Sequence, residues 1–405
     1  MTVFFTSGPK SDKPRSDLRV RYTVSKESLK IEISSKVEAL FSEAIRSQVE
    51  SICRDLSVNT GLLEIDDFGA LPFVIAARVE AVLKEAYPEI KAEALPDQKE
   101  FCTYGTRRDR FRRSRLYLPG NQPKLMLNAG IHRPDGIILD LEDSVSFEEK
   151  FVARLIVRNA LRSLDFFGAE RMVRINQGER GLEDLEFIVA HNVHLILIPK
   201  VESAEDVQRV EERVKKISQQ CGRKEPVYFM PIIESGRGVM KALEIAEASE
   251  NNVALTIGLE DYTASIGAER TEEGWESFVA RSTIVNAAKA AGLQAIDTVF
   301  SDVSDEAGLI SATLEAKSLG FDGKGCVHPR QIRGIHDAFS PSLSEVAKAK
   351  RIILAFDDAE AKGLGVVSLD SKMIDPPVVK RAMSVVEMAV SIGILDKQWK
   401  ENEDV

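Results

Sequence analysis

The chain has 405 residues, of which 44% are hydrophobic and 29% are charged, and its formal net charge is −10. It contains no apolar run of about 18 residues that could span a bilayer, and its acidic balance argues against nucleic acid or an anionic membrane as partner, because both require basic surfaces. The length exceeds that of one typical domain, so we expect more than one, and small acidic substrates remain compatible with this charge.

The cysteine content is typical of a reducing compartment. The four cysteines lie far apart and form no CxxC pair or other metal-binding spacing; they are Cys53, Cys102, Cys221 and Cys326. Structural disulfides belong to oxidising compartments, so this pattern favours the cytoplasm. The first residues, MTVFFTSGPKSDKPRSD, lack the extended apolar core of a secretory signal. We therefore expect a cytoplasmic protein.

Residues 1–90 show the mixture of short strands and helices that is typical of a small α+β domain. Strand-like runs are LRVRYTV, LKIEISS and LLEIDD, and helical periodicity covers VEALFSEAIRSQVESICRDL and FVIAARVEAVLKEAY. The segment contains no constellation of catalytic residue types. Residues 91–111 lose this periodicity and carry a basic cluster, so we interpret them as a linker.

Eight short apolar runs follow, separated by segments long enough for a helix. The runs are SRLYLPG (114–120), DGIILDLED (135–143), RMVRIN (171–176), VHLILIPKVE (193–202), PVYFMPIIE (226–234), NNVALTIGLED (251–261), LQAIDTVFSD (293–302) and GKGCVHP (323–329). Alternation of buried strands with helices is typical of parallel α/β folds. The fold class is therefore α/β, and we predict a (β/α)8 TIM barrel over residues 112–340.

Two of the connecting segments carry helix signals. SAEDVQRVEERVKKI begins with Ser203, a preferred N-cap residue, and its apolar residues recur at helical period. SFEEKFVARLIVRNALRSL begins at Ser146 with Glu149 three residues later, which predicts a capping box. Both segments therefore support the helices that the barrel requires.

Residues 341–405 form a helical extension behind the barrel. We predict a helix over PSLSEVAKAKRIILAFDDAEAKG, an irregular loop over VVSLDSKMIDPP and an amphipathic helix over VVKRAMSVVEMAVSIGIL. The extension is too short for a domain of its own. We expect it to pack on a neighbouring subunit.

Two of the predicted strands end in a carboxylate, Glu234 at the tip of PVYFMPIIE and Asp261 at the tip of NNVALTIGLED. One βα unit separates them, so both side chains would emerge together at the mouth of a barrel. The alternative is that each acid caps the helix that follows, because carboxylates are favoured at helix N-termini. Other strand ends add a polar ring: Glu142, Asp143, Arg174, Asn176, Lys200, Glu202, Asp297 and His328. Together these residues predict a site for a divalent metal ion.

Nine segments occur in one order from Arg112 to about Ala389. They are RRSRLYLPGNQPK, DGIILDLEDSV, MVRIN, LIPKVES, PIIESGRGV, IGLEDYTASIG, AIDTVFSDVSDEAGL, GFDGKGCVHPRQI and GVVSLDSKMIDPPVV. In this order they resemble the citrate lyase β subunit and its malyl-CoA and citramalyl-CoA lyase relatives in the HpcH/HpaI aldolase family. The resemblance implies a Mg²⁺-dependent carbon–carbon lyase. It would cleave a citryl-type or other 3-hydroxyacyl thioester, bound to CoA or to a carrier, into a 2-oxoacid such as oxaloacetate and an acyl thioester.

The resemblance assigns the metal and the substrate carboxylate to particular residues. It implies that Glu234 and Asp261 hold Mg²⁺ and leave positions beside Glu234 for the carboxylate and carbinol oxygens of the substrate. Arg174, at the end of MVRIN, resembles the arginine that grips the oxoacid carboxylate through its planar fork. The alternative for Arg174 is a structural ion pair with Glu142 or Asp143.

The catalytic base comes from the same resemblance. In related lyases an acid in the carboxy-terminal segment reaches into the neighbouring barrel, and KMIDPP matches that motif at Asp375. From the residues alone, Asp375 would be a turn aspartate before prolines. Glu142 of DLED is the second candidate at the metal mouth. A base donated across an interface requires a homo-oligomer, and the resemblance implies a trimer or a multiple of it.

The first hundred residues resemble the citrate lyase γ subunit, an acyl carrier protein, in IEISSKVEALFSEAIR and LEIDDFGALPFVIAARVEAVLKEA. Such carriers attach a phosphoribosyl-dephospho-CoA arm to a serine two residues before an aspartate, and anchoring on Asp17 puts Arg15 there. A shift of one residue offers Ser16, and Ser11 before Asp12 is a weaker option. Two alternatives stay open: a working carrier with a shifted site, or a degenerate carrier retained for packing or assembly.

Three functions follow as alternatives. The first is the lyase, acting on free CoA thioesters or on a carrier-bound thioester. The second is an acyl-carrier or assembly subunit of a multi-enzyme complex that contains an acyl-transferase (α-type) subunit. The third is an acyl-CoA thioesterase, because an enolate-forming pocket that admits water can hydrolyse the thioester instead.

Overall fold

The computed structural model describes residues 3–11, 13–363, 367–369 and 372–400. Its amino-terminal part is a sheet with two helices, formed by β1 (Phe4–Ser7), β2 (Leu18–Ser28), β3 (Lys30–Ser35), α1 (Glu38–Asp55), β4 (Thr60–Asp67) and α2 (Pro72–Ala86). The strand order is β1-β2-β4-β3, with β3 parallel to β4 and the other pairs antiparallel. The predicted α+β pattern is present, and β1 is an additional strand that the sequence analysis missed.

Eight parallel strands in the described part of the chain close into a barrel. They are β5 (Ser114–Pro119), β6 (Gly136–Asp140), β7 (Glu170–Arg174), β8 (Leu195–Ile198), β9 (Tyr228–Ile233), β10 (Ala254–Ile257), β11 (Gln294–Asp297) and β12 (Gly323–Cys326). Seven of the strands lie within the apolar runs and β7 begins one residue before its run, so the predicted (β/α)8 fold is confirmed. In such a barrel the loops that follow the strands form one mouth.

Helices surround the barrel. They are α3 (Pro123–Met126), α4 (Lys150–Ser163), α5 (Gly178–Ile188), α6 (Ala204–Cys221), α7 (Gly236–Met240), α8 (Ala242–Ala246), α9 (Leu259–Ile266), α10 (Trp275–Ala290), α11 (Glu306–Leu319) and α12 (Arg330–Phe339). Helix α6 begins as predicted, with Ser203 and Asp206 forming a capping box. The capping box predicted for Ser146 and Glu149 is wrong. A 3-10 turn precedes α4 there, and the Glu149 carboxylate accepts a hydrogen bond from Asn121 instead.

The amino-terminal sheet is docked on the barrel through α2, and the two share one hydrophobic core. Helix α2 packs against α4, and the fully buried Arg158 of α4 forms an ion pair of 2.6 Å with the equally buried Glu80 of α2. The side-chain amide of Asn159 donates to the carbonyl of Phe73. Residues 91–111 then cross to the opposite end of the barrel. Buried ion pairs of this kind need exact partners, so the docking is fixed in register.

The carboxy-terminal extension consists of α13 (Leu343–Ala361), β13 (Val367–Leu369), β14 (Lys372–Ile374) and α14 (Pro376–Ser391). The irregular loop predicted over VVSLDSKMIDPP is wrong in part, because β13 and β14 pair as an antiparallel hairpin. Helices α13 and α14 form a small core separate from that of the barrel, around Ile353, Val386 and Trp399. None of the described helices combines the length and the apolar character that a bilayer crossing requires.

Candidate active site

A cavity of about 370 Å³ opens at the mouth of the barrel. Strand ends and the loops after them line it, because parallel strands end on one side. Its charged lining residues are Arg115, Asp140, Asp143, Arg174, Glu234, Glu260, Asp261 and Asp297. Most of the acids expected at the mouth therefore meet in one place.

Arg174 is held mainly by Asp140, which the sequence analysis did not select. The two residues face each other in the register of β6 and β7. Nε and Nη2 of Arg174 each donate to a carboxylate oxygen of Asp140 at 2.7 Å, and Nη1 lies 2.8 Å from Glu142 Oε2. Burial opposes ionisation of Asp140, but the guanidinium outweighs it and holds the pKa of Asp140 below its usual range. The structural ion pair between Arg174 and Glu142, which was the alternative interpretation of Arg174, is thus present. The guanidinium also lines the cavity.

Lys200 lies between the acids of the mouth. Its Nζ is 3.5 Å from Glu142, 3.7 Å from Asp143 and 3.7 Å from Asp261. Its backbone is left-handed, with φ of 49°, which a residue other than glycine adopts only at a cost of about 1 kcal/mol or more. Strain of this kind concentrates at functional sites, and here it brings an ammonium group to the acids.

Glu234 directly follows β9 and is 6% exposed. Its Oε2 is buried and has no hydrogen-bond partner among the described residues. Burial, and then the negative charges of Glu142 and Asp261, raise the pKa of Glu234 to about 8. Gly258 sits against it: a Cβ there would lie 2.6 Å from Glu234 Oε1. The sequence analysis missed the role of this glycine.

Asp261 is placed differently from the expectation that it forms the tip of a strand. Strand β10 ends at Ile257, and Asp261 lies in the first turn of α9 with 46% of its side chain exposed. The loop after β10 is short, so the helix begins before the acid is reached. Asp261 therefore lies at a helix N-terminus, as the alternative interpretation expected, and it also lines the cavity.

The donor set of the mouth fits a divalent cation. Five carboxylates and three cations meet at this rim: Asp140, Glu142, Asp143, Glu234, Asp261, Arg174, Lys200 and Lys150. When Glu234 is ionised, these side chains have an excess of two negative charges, which equals the charge of one divalent ion. In the described ranges no group of three His, Cys, Asp or Glu side chains forms a complete metal cage. Mg²⁺ commonly binds through one or two carboxylates, with water and substrate oxygens filling the other positions.

Other members of the expected ring serve neighbouring residues. Asn176 donates to Asp184, and Glu202 accepts a hydrogen bond of 2.6 Å from Ser235. Asp297 is fully buried at the floor of the cavity, where it binds Lys324 and Arg281. His328 accepts a hydrogen bond from the backbone of Arg330 and does not line the cavity in the described structure. The expectation that all ten ring members converge was too broad, because Asn176, Glu202 and His328 contact neighbouring residues instead.

Asp375 is the N-cap of α14 and accepts a hydrogen bond of 3.1 Å from the backbone N–H of Val378. It is absent from the described lining of its own barrel's cavity. Ser16 has φ of 53° and donates its backbone N–H to Phe68. It lies within the loop that borders a second cavity of about 290 Å³, between the amino-terminal domain and the barrel mouth. Asp12 lies outside the described residues.

Comparisons with known proteins follow the two parts of the chain. A family model described as HpcH/HpaI aldolase/citrate lyase matches residues 113–329, and an acyl-carrier (ACP) model described as malonate decarboxylase delta subunit (MdcD) matches residues 14–86. The chain is 41% identical over 295 residues to citrate lyase subunit beta of Escherichia coli (strain K12), covering 72% of this chain and 97% of that protein. It is 34% identical over 293 residues to mitochondrial citramalyl-CoA lyase of Homo sapiens, covering 69% and 86%.

A solved structure matches the barrel in three dimensions. Protein CitE from Mycobacterium tuberculosis, in complex with magnesium, acetoacetate and coenzyme A, aligns with a TM-score of 0.58 and 32% identity. The alignment covers 70% of this chain and 99% of that chain. The carboxylate-rich mouth described above thus belongs to a barrel of known type.

Proposed function

Because this chain belongs to the HpcH/HpaI aldolase/citrate lyase family and is a Mg²⁺-dependent carbon–carbon lyase, we propose that it cleaves a citryl-type 3-hydroxyacyl thioester to oxaloacetate and an acyl thioester. The family, fold class and reaction class expected from the sequence are confirmed. The observation that carries the choice of site is the buried, unpartnered oxygen of Glu234, which faces the same cavity as Asp261 and Arg174.

Glu234 and Asp261 are the proposed ligands of Mg²⁺, and Arg174 is the proposed anchor of the oxoacid carboxylate. When bound, Mg²⁺ supplies Lewis-acid polarisation and a template for the substrate oxygens. Asp140 occupies two nitrogens of Arg174. The third nitrogen, Nη1, is therefore the one that can turn from Glu142 to a substrate carboxylate. A guanidinium with one edge fixed positions that carboxylate with little loss of side-chain freedom.

The chemistry requires a proton acceptor for the carbinol hydroxyl. As the proton leaves, the oxygen electron pair forms the carbonyl of the 2-oxoacid. The electrons of the broken carbon–carbon bond pass to the carbon beside the thioester, which then takes up a proton. We assign the proton transfer to Asp375 of a neighbouring subunit. Glu142, whose pKa burial raises, is the second candidate and lies within the same mouth.

A homo-oligomer, a trimer or a multiple of it, is part of this proposal. Asp375 lies on the carboxy-terminal extension, which has a hydrophobic core of its own. It does not line the described cavity of its own barrel. Met373, two residues before Asp375, is 70% exposed, and Met383 on α14 is 48% exposed. Exposed apolar side chains beside a functional acid support a contact with another copy of the chain.

The amino-terminal domain supports a free CoA thioester as substrate. The second cavity is lined by the unpaired cations Lys10, Arg15 and Lys124, for which the described residues offer no hydrogen bond or ion pair. Phosphate groups are the ligands that such a pocket favours. The alternative is a phosphoribosyl-dephospho-CoA arm on Ser16, supplied through an α-type acyl-transferase subunit. An intact mass of the purified protein separates the two, because only the arm adds covalent mass.

The test is Mg²⁺-dependent release of 2-oxoacid from citryl-CoA, malyl-CoA and citramalyl-CoA. Wild type should release oxaloacetate from citryl-CoA, and Glu234→Ala and Asp261→Ala should not. Glu205→Ala is the matched control, since Glu205 lies in the first turn of α6, as Asp261 does in α9, but does not line the described cavity. Release of free CoA without an acetyl thioester would favour the thioesterase alternative. If none of the three thioesters yields a 2-oxoacid, the proposed substrate is wrong.

A further inference from the structure

Arg115 is a charged residue inside the barrel. It lies on β5, is 1% exposed, and faces a layer in which the neighbouring strands contribute Gly136 and Gly325. Most of the described side chains around it are apolar, among them Ile138, Met172, Leu197, Met230 and Ile232. Barrel interiors are usually filled by branched apolar side chains. A Cβ at Gly136 would lie 2.5 Å from Met172 Cε and 3.7 Å from Arg115 Cγ, so this glycine leaves room for both side chains.

The guanidinium of Arg115 has no carboxylate partner among the residues that the structure describes. Nη1 lies 2.9 Å from the sulfur of Met230, Nη2 donates to the hydroxyl of Thr256 at 3.3 Å, and Nε has no partner among the described residues. The nearest acid that favours its charge, Asp297, is already bonded to two other cations. An unpaired buried charge is costly unless a ligand completes its hydrogen bonds.

We propose that Arg115 forms a carboxylate-binding subsite at the floor of the catalytic cavity, which receives the second carboxylate of a dicarboxylic oxoacid. This inference rests on the proposed function, because it assumes that the oxoacid binds at the mouth. It narrows the substrate class: a carboxymethyl group on the carbinol carbon would gain a charge-assisted hydrogen bond that a methyl group or hydrogen cannot make.

The height of Arg115 in the barrel suits a four-carbon dicarboxylate. Thr256, which holds its Nη2, pairs in register with Ile232, two residues below Glu234. Two residues of a strand rise roughly 7 Å. The metal-chelating end of an oxoacid beside Glu234 and a second carboxylate at Arg115 therefore lie about the length of such a molecule apart.

The distribution of charge along the cavity favours the same orientation of the substrate. Carboxylates are in excess at the mouth, whereas Arg115 is a cation at the floor, where Asp297 is already bonded to Arg281 and Lys324. A substrate with a metal-chelating end and an anionic end is oriented by this difference. Arg115 thus acts on binding and selection, while the bond cleavage is carried out at the mouth.

Calorimetric titration tests the subsite without turnover. Oxaloacetate and 2-oxobutyrate differ only in a terminal carboxylate or methyl group. In the presence of Mg²⁺, wild type should bind oxaloacetate about 10- to 100-fold more tightly. Arg115→Met keeps the length and removes the charge, so it should abolish this preference. Arg110→Met, at the other end of the barrel, should leave the preference unchanged.

Equal affinity of wild type for the two ligands would overturn the proposal, and this comparison needs no variant to fold. Retention of the preference by Arg115→Met would overturn it as well. If Arg115→Met does not fold, Arg115→Lys replaces it and should weaken oxaloacetate binding while leaving 2-oxobutyrate binding unchanged. A lyase assay without any 2-oxoacid release would sink the proposed function alone, because the binding preference is measured independently.

Discussion

The electrostatic state of Glu234 governs the behaviour of the mouth. In the folded protein its pKa is about 8, whereas an unfolded glutamate ionises near its usual value of about 4.3. The folded chain therefore holds a proton that the unfolded chain has lost between these two values. Stability is full below the lower value and falls as the pH rises through the upper one. Mg²⁺ reverses this loss, because it binds the ionised carboxylate.

We predict that the Tm of the metal-free protein falls between about pH 5 and pH 8, and that added Mg²⁺ raises the Tm more at pH 8 than at pH 6. Differential scanning calorimetry measures both effects. Glu234→Gln keeps the shape and removes the titration, so its Tm should change less with pH and should respond weakly to Mg²⁺. An unchanged pH profile in this variant would show that another group is responsible.

Sequence reasoning found the charged residues at the ends of apolar runs and missed those within the runs. Glu234 and Arg174 stand at the end of apolar runs, so their position at the mouth could be predicted. Asp140 and Arg115 lie within such runs, where the pattern indicates a buried strand and gives no sign of function. Their roles depend on which strands become neighbours, and only the closed barrel supplies that information.

At the scale of the element, Gly258 fixes how closely the end of β10 approaches β9. The backbone N–H of Gly258 donates to the carbonyl of Ile233, and this pairing puts its α-carbon against the side chain of Glu234. We predict that Gly258→Ala displaces the carboxylate and weakens Mg²⁺ binding by about 10- to 100-fold. Metal titration followed by calorimetry is the measurement.

Gly236→Ala is the matched control for this prediction. It lies two residues after Glu234, and a Cβ there would make an ordinary contact of 3.4 Å with Ile266. Its Mg²⁺ affinity should match that of wild type. Equal loss of affinity in both variants would indicate a general disturbance of the rim, and the specific role of Gly258 would be wrong.

Elements were predictable where burial imposes a pattern. The eight strands are buried and mostly apolar, and α6 follows its Ser203 cap, so both were identified. The hairpin of β13 and β14 was missed because each strand has three residues and packs outside the main core. The capping box at Ser146 failed because Glu149 binds Asn121, which is close only in the folded chain.

At the scale of the whole molecule, the amino-terminal domain is a fixed part of the barrel's rim. Its loop with Lys10 and Arg15 faces the loops after β5 and β6, and Pro119 and Ser144 of these same loops line the catalytic cavity. Each of these residues is only a few positions from the second cavity. The two cavities are therefore neighbours on one face, which supports the proposal that a CoA thioester binds there.

We predict that Arg15→Glu raises the KM for a CoA thioester about 10-fold, because it replaces a cation that faces the phosphates. The KM for the corresponding pantetheine thioester, which lacks the phosphates of CoA, should stay the same. Steady-state kinetics with both substrates is the measurement, and Lys26→Glu, on the far part of β2, is the control. Equal effects on both thioesters would contradict a phosphate contact.

The assignment of Asp375 concerns how subunits combine. Asp375 caps α14, so its loss has a structural cost of about 1 kcal/mol as well as any catalytic one. Asn caps helices as well as Asp does. We therefore predict that Asp375→Asn folds and binds Mg²⁺ normally while turnover falls by about 10²- to 10⁴-fold. Normal turnover in this variant would return Asp375 to a capping role only.

Mixing two inactive variants shows whether the acid crosses an interface. In oligomers of Glu234→Ala and Asp375→Asn chains, some sites combine an intact barrel of one chain with an intact Asp375 of the other. If each site takes its acid from a neighbour, random mixing restores activity at about a quarter of the sites. Glu234→Ala mixed with Asp261→Ala should restore none, because both defects lie in the same barrel. Two defective chains can complete each other only if they share an active site. No recovery in the first mixture would therefore mean that Asp375 acts in its own chain's site or in none.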